Sequence, residues 1–168
     1  MRPLPGGWLA EYREYRPRVS SQSLIRVQKH TYSVPSRLIG RELRVERYEA
    51  RLKVHLGGEH LFDLPRLRGD RGACVDFRHV IVPLLRKPGA FRNYRHREAL
   101  YPTVTFRSAH DRLVADHGER LGVIEYLQVL KLAAEETVER VDVVLAAFLT
   151  HAGRWRATEV REHLVPTS

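Results

Sequence analysis

From Ser23 to Leu64 the pattern of apolar and polar side chains is that of strands, with period-two alternation from Glu42 on, and the period changes to a helical one after residue 107. The chain is therefore expected to pass from strands to helices. Leu24 to Val27 and Thr31 to Val34 flank the polar Gln28-Lys29-His30, which predicts a hairpin. Leu43 and Val45 alternate with Glu42, Arg44 and Glu46, while Leu52, Val54 and Leu56 alternate with Arg51, Lys53 and His55. After Gly57-Gly58, His60, Phe62 and Leu64 alternate with Glu59, Leu61 and Asp63. A two-residue Gly57-Gly58 turn would set His55 opposite His60, but also Lys53 against Phe62 and Arg51 against Leu64. A three-residue Gly57-Gly58-Glu59 turn pairs Val54 with Phe62 and Leu52 with Leu64. A slip of one residue moves every side chain to the other face, so the coherent apolar face selects the second register and separates the two histidines. Four or five short strands over residues 23–64 are too few for a sandwich and suit a small, highly curved barrel.

Residues 65–107 are punctuated by Pro65, Gly69, Gly72, Pro83, Pro88, Gly89 and Pro102 and predict an irregular connector. Within it, Asp76 to Leu85 has the pattern of a short helix packing Val80, Ile81 and Leu84, with Pro83 as a constraint. Ser108 with Asp111 resembles a capping box that opens a helix to about His117, stopped by Gly118. Ile124, Leu127, Leu130 and Ala134 then line one helical face, and Val138, Val141, Leu145 and Phe148 continue the spacing. Glu135-Glu136 either breaks this run or lies inside one long helix, and periodicity does not decide between the two. Thr158 is the expected cap of a last helix to Leu164. At the other end, Pro3-Leu4-Pro5-Gly6-Gly7 and the arginine-rich run from Tyr12 to Arg18 predict a linker over residues 1–22. The expected fold class is α+β: a small antiparallel β-barrel over 23–64, an arginine-rich connector over 65–107, and a C-terminal helical region over 108–168.

Charge sharpens this division. The net charge is +9, but residues 1–107 hold 22 Lys/Arg against 10 Asp/Glu, whereas residues 108–168 hold 7 against 10. A strongly basic segment beside a slightly acidic one suggests two tasks, with polyanion binding the natural one for the first. The cations expected to contact DNA are Arg26, Lys29, Arg37, Arg41, Arg44 and Lys53 on or beside the strands, and Arg86, Lys87, Arg92, Arg95 and Arg97 in a loop that also holds Phe91 and Tyr94. Guanidinium groups match phosphate bidentately and an aromatic ring can lie against a sugar or an unstacked base. No pattern marks a base-reading helix, so backbone contacts should dominate. On the helical side, Val141, Leu145 and Phe148 fall on one face and are the expected protein-partner contacts, unless that face folds into the core.

Other chemistries find little support. The nine histidines include no pair at i, i+4 and there is no Cys-x-x-Cys, so no metal site is expected. Neither a Walker A loop nor a G-x-G-x-x-G occurs, so no nucleotide cofactor is expected. Glu42, Glu46, Glu49, Glu59 and Asp63 stand among arginines and read as solvated, ion-paired groups, not as a catalytic set. The lone cysteine, Cys74, cannot form an internal disulfide and fits a reducing, cytoplasmic setting. No apolar run approaches the roughly 18 residues of a membrane span.

Several short runs, in order along the chain, resemble the C-terminal part of insertion-sequence transposases of the IstA type. They are Ser23-Leu24-Ile25-Arg26-Val27, Tyr32-Ser33-Val34-Pro35, Pro65-Arg66-Leu67-Arg68-Gly69, Phe77-Arg78-His79-Val80-Ile81, Arg86-Lys87-Pro88-Gly89-Ala90-Phe91, Tyr94 to Pro102, Glu125-Tyr126-Leu127 and Lys131 to Glu135. The resemblance covers about Val19 to Leu149. It implies a non-catalytic part of a DDE-type DNA transposase of the Mu-like, retroviral-integrase superfamily, the catalytic domain lying upstream on an RNase H-like fold. It also implies duplex DNA at transposon ends, other transposase subunits and an AAA+ ATPase helper as partners. The reading from another class is a stand-alone adaptor domain whose basic face meets an acidic protein.

Overall fold

The computed structural model describes residues 11–69 and 72–164, and the chain divides into two compact units, Met1–Val75 and Asp76–Ser168. The N-terminal Pro-Gly run expected as linker lies outside the described residues.

The first unit is built from two small sheets. The four-stranded sheet is antiparallel, with β1 (Arg13–Tyr15), β4 (Arg44–Arg47), β5 (Arg51–Leu56) and β6 (Glu59–Pro65) side by side in that order. The second sheet pairs β2 (Leu24–Val27) antiparallel with β3 (His30–Ser33), which in turn pairs in parallel with β7 (Gly72–Cys74). Ile25, Val27 and Tyr32 from one sheet and Val45, Leu52 and Val54 from the other join Val19, Val34, Leu38 and Leu43 in a single buried cluster. The alternation in sequence thus has its expected cause, one face of each strand turned to a common core.

The sheets do not close into the expected barrel. The four-stranded sheet ends at β1 on one side and β6 on the other, because β2 and β3 take β7 as their neighbour. That third partner comes from the segment expected as irregular connector. The arm holds a further difference: Arg13, Glu14 and Tyr15 pair with Arg47, Glu46 and Val45, and Arg18 bridges to Glu42. Residues 13–18 therefore extend the sheet. The backbone N–H of Leu43 donates to the carbonyl of Pro17 and that of Val19 to Arg41, which continues the tie.

The hairpin of β5 and β6 satisfies both registers weighed from the sequence. Leu52 faces Leu64 and Val54 faces Phe62, while His55 faces His60 and Leu56 faces Glu59 across a two-residue Gly57-Gly58 turn. A bulge between Val54 and His55 reconciles them, leaving Leu61 as the extra residue. The histidine pair expected to separate is retained, with ring centroids 5.3 Å apart. Gly57 supplies the turn's positive φ of 63°.

The second unit is helical: α1 (Phe77–Arg86), α2 (Val104–His117), α3 (Glu119–Glu135), α4 (Val138–Leu149) and α5 (Ala157–Leu164), with 3-10 turns at Pro88–Phe91 and Arg97–Leu100. Asp76 caps α1 through its carboxylate, which accepts from Arg78 N, and Val80, Ile81 and Leu84 are buried, as the sequence suggested. The helix after it begins five residues earlier than the Ser108 capping box predicts. Thr103 is the cap, its hydroxyl accepting from Phe106 N, and Ser108 lies within α2. The buried stripe of Phe106, Ala109, His110 and Leu113 has the spacing of one helical face, but a histidine occupies one of its four places, which disguises it in the sequence. Glu136 breaks the helical run and Thr137 caps α4 through Arg140 N. Instead of Thr158, the last helix is opened by Arg156 N donating to Glu159, with Ala157 N donating to Glu125 from α3.

α3 is the central helix. Gly122, Val123, Tyr126, Leu127, Val129, Leu130, Leu132 and Ala133 are buried, more than half of the circumference, so the stripe of Ile124, Leu127, Leu130 and Ala134 marks only one margin of its buried surface. At Gly122 the backbones of α2 and α3 approach so closely that an added Cβ would lie 2.5 Å from Val114 Cα and 2.7 Å from the Leu113 carbonyl oxygen.

Candidate nucleic-acid interface

An open cleft of about 980 Å³ lies in the first unit where the β4–β5 hairpin turns beside the start of β1. Its lining is Glu11, Tyr12, Arg13, Arg47, Tyr48, Glu49, Ala50, Arg51, Lys53 and Arg66, five cations against two carboxylates. The pairing of β1 with β4 is what builds it, since Arg13 and Arg47 stand opposite each other in the ladder. Like charges facing across strands destabilise a bare sheet, and here they create a positive field at the cleft. Arg47 is steadied by Gln28 and lies over the Tyr15 ring at 5.7 Å. Arg66 donates to the carbonyls of Tyr48 and Glu49 and so fixes the turn. Two aromatic rings, Tyr12 and Tyr48, pack at 5.1 Å between centroids, and the Lys53 ammonium sits 5.2 Å over the Tyr48 ring. Tyr12 keeps nearly half of its surface exposed.

Beside the cleft, a buried polar group holds the sheet together. Glu46 accepts from Tyr48 Oη at 2.8 Å and from Arg44, which also reaches Glu14 at 3.6 Å. The His55 Nε2 lies 3.4 Å from Glu46 Oε1 without forming a hydrogen bond. Burial pushes the Glu46 carboxyl up, but the hydrogen bonds from Tyr48 and Arg44 and the field of His55 outweigh it and hold the group below the usual glutamate range. Tyr48 is pushed up to about 12 by burial and by donating to that carboxylate. A group with a depressed folded-state pKa stabilises the fold above its unfolded value, about 4.3, and loses that contribution as pH falls through the folded value. Wild-type protein should therefore lose stability between pH 5 and pH 3 more steeply than Glu46→Gln, as read by urea denaturation at each pH. Equal slopes would show that Glu46 is not the titrating group.

The cations singled out from sequence fall into three groups. Arg26, Lys29, Arg37 and Arg41 are exposed on the first unit, and Arg86, Lys87, Arg92 and Arg95 on the second. None of these eight has an ion pair among the described residues. Lys53 lines the cleft. The remaining two are engaged internally: Arg44 is neutralised by Glu46 and Glu14, and Arg97 packs over Phe91 and donates to Tyr101 Oη and the Arg92 carbonyl. Arg13 escapes the sequence reading because residues 1–22 read as a linker, and Arg47 because only strand pairing sets it beside Arg13. Tyr12 and Tyr15 stand three apart around two charged residues, which is not the period of a strand, so no local signal marks this segment. The charge division also shifts. The first unit carries 15 Lys/Arg against 8 Asp/Glu and the second 14 against 12, because the acidic helices share a unit with the arginine-rich segment 76–107.

The expected partner face does not survive in the second unit. Val141 and Leu145 are fully buried and Phe148 stacks on Trp155 at 5.4 Å, with His163 edge-on at 4.9 Å. These three residues hold α4 against its own neighbours. Another buried cluster gathers Phe91, Tyr101, His110 and Tyr126, whose rings lie 5.3 to 6.2 Å apart. Tyr126 donates to the Leu100 carbonyl at 2.6 Å, and burial raises its pKa well above the ordinary value. Among the described residues no group of three His, Cys, Asp or Glu side chains could hold a metal ion, and no helix is long and apolar enough to cross a membrane.

Comparison with known proteins gives this architecture its relatives. Residues 4–76, nearly all of the first unit, match the family described as Mu transposase, C-terminal domain. An uncharacterized protein of Sinorhizobium fredii is 36% identical over 141 residues, which is 82% of this chain and 28% of that protein. A transposase of Aminobacter aminovorans and the transposase for insertion sequences IS1326/IS1353 of Pseudomonas aeruginosa are each 34% identical over 85 residues, 48% of this chain and 17% of theirs. The chain thus spans less than a third of the length of these curated relatives. No solved structure matches it.

Proposed function

We propose that this chain is the non-catalytic C-terminal part of a DDE-type DNA transposase, and that it holds transposon-end DNA by its phosphate backbone. The single observation that carries the reading is the unpaired cationic surface. Eight exposed arginines and lysines, four in each unit, are without carboxylate partners among the described residues, in a chain similar to transposases. An exposed cation left unpaired is free to replace counterions on a polyanion. The helical unit then makes protein contacts, with other transposase subunits or an ATPase helper. Its exposed apolar positions Val104, Leu121 and Val143 offer the surface that Val141 and Leu145 cannot, and Val143 does so on the same helix.

Titration of a labelled 30-bp duplex by fluorescence anisotropy at several salt concentrations tests the DNA reading. With five phosphates neutralised, log K against log salt should have a slope of about −4.5. Reversing Arg86, Lys87 and Arg92 to Glu should weaken binding on unrelated sequences alike, by roughly tenfold or more, and flatten the slope. A flat salt response in the wild type, or tighter binding to an acidic protein than to any DNA, would favour the adaptor reading instead.

A further inference from the structure

The cleft between β1 and the β4–β5 hairpin combines features that a duplex backbone alone does not require. Phosphate binding needs cations, and Arg13, Arg51 and Arg66 stand along its walls, Arg51 also 3.8 Å from Asp63 and Arg66 also donating to the Tyr48 and Glu49 carbonyls. It does not need an exposed aromatic ring, yet Tyr12 lies at the cleft with 48% of its surface free and its ring packed against Tyr48 at a tilt of 37°. An isolated tyrosine left open to water is unremarkable, but this one is held in place by the ring beneath it. Tyr48 is itself anchored, by its hydroxyl on Glu46 and by the Lys53 ammonium over its ring. The outer face of Tyr12 is thus a fixed platform among positive charges. Bases inside a duplex already stack on one another and present only their edges, whereas an unpaired nucleotide presents a π-face that such a ring can receive.

We infer that this cleft binds an unpaired stretch of DNA, with one base stacked on Tyr12 as a third ring beyond the Tyr12–Tyr48 pair and the flanking phosphates on Arg13, Arg51 and Arg66. The inference rests on the DNA-binding reading and adds to it a preference of one site for single strands. Cytosine or thymine, adenine or guanine would serve alike, because every base has a π-face. Ring and cations line the same cleft, so one strand can engage both at once.

The test uses the full chain with a labelled 12-nucleotide single-stranded DNA, the same sequence as RNA, and a blunt duplex of that sequence. Tyr12→Leu should weaken single-strand binding about 5- to 100-fold, the range for losing one stacked base, and leave duplex affinity within about twofold. Tyr12→Phe, which keeps the ring, should bind the single strand within about twofold of wild type. Circular dichroism and thermal melting of both variants should match wild type, since Tyr12 is exposed. Unchanged single-strand binding in Tyr12→Leu, an equal loss on the blunt duplex, or tighter binding of the RNA would overturn the inference while duplex binding stands. Failure of the wild type to bind either DNA would overturn the DNA reading itself.

Discussion

Gly122→Ala should destabilise the helical unit by about 2–3 kcal/mol, although alanine is the better helix former. In an isolated helix the substitution would gain up to about 1 kcal/mol. Here the new methyl would lie 2.5 Å from Val114 Cα and 2.7 Å from both Val114 N and the Leu113 carbonyl oxygen. All three are backbone atoms, so no side chain can rotate away and α2 and α3 must move apart. Overpacking of that kind costs about 1–3 kcal/mol and sometimes more, and the separation would also loosen Leu113, Tyr126 and Leu127, which are fully buried. Thermal denaturation should show a Tm lower by roughly 10–20 °C for a unit of this size. Gly122→Val should be worse, since it adds a branched side chain to the same contact. A Tm equal to wild type in Gly122→Ala would mean that the two helices are not this close.

The second large effect separates core from surface on α4. Leu145→Ala should cost about 2–5 kcal/mol, because Leu145 is fully buried and its truncation leaves a cavity. Val143→Asp, two residues away but 70% exposed, should change stability by no more than about 0.5 kcal/mol. Urea denaturation measures both. The same pair then reports on partners: if α4 contacts another subunit or a helper, Val143→Asp should reduce that association in a fully folded protein. Retained association with Val143→Asp would move the contact to another face. A small loss of stability in Leu145→Ala would put Leu145 back on the surface where its spacing alone could have left it.

Much of the local structure was legible in the sequence for a simple reason. Period-two alternation in 43–64 and helical spacing after 107 report which side of an element faces a core, and they do so without knowledge of what the core is. The Gly57-Gly58 turn is similarly local, since it depends on the conformation of two or three residues. The surplus of cations was equally visible, as was the kinship with insertion-sequence transposases.

Tertiary structure decided what depends on partners distant in the chain. Whether the strands close into a barrel turns on who pairs with β3, and the answer, β7, comes from about forty residues later. That Arg13 to Tyr15 forms a strand follows from an open edge on β4, which nothing in an arginine-rich run announces. The bulge at Val54 and His55 arises because the turn and the apolar face prefer different registers, and only the folded sheet can satisfy both. On the helical side, Val141, Leu145 and Phe148 share a face whether that face is covered or bare. α4 covers it with its own neighbours, because the stripe that marks a core and the stripe that marks a partner surface are written with the same residues. The cleft is the clearest case: Tyr12 and Arg13 lie more than thirty residues from Arg47 and Tyr48, and only strand pairing sets them side by side.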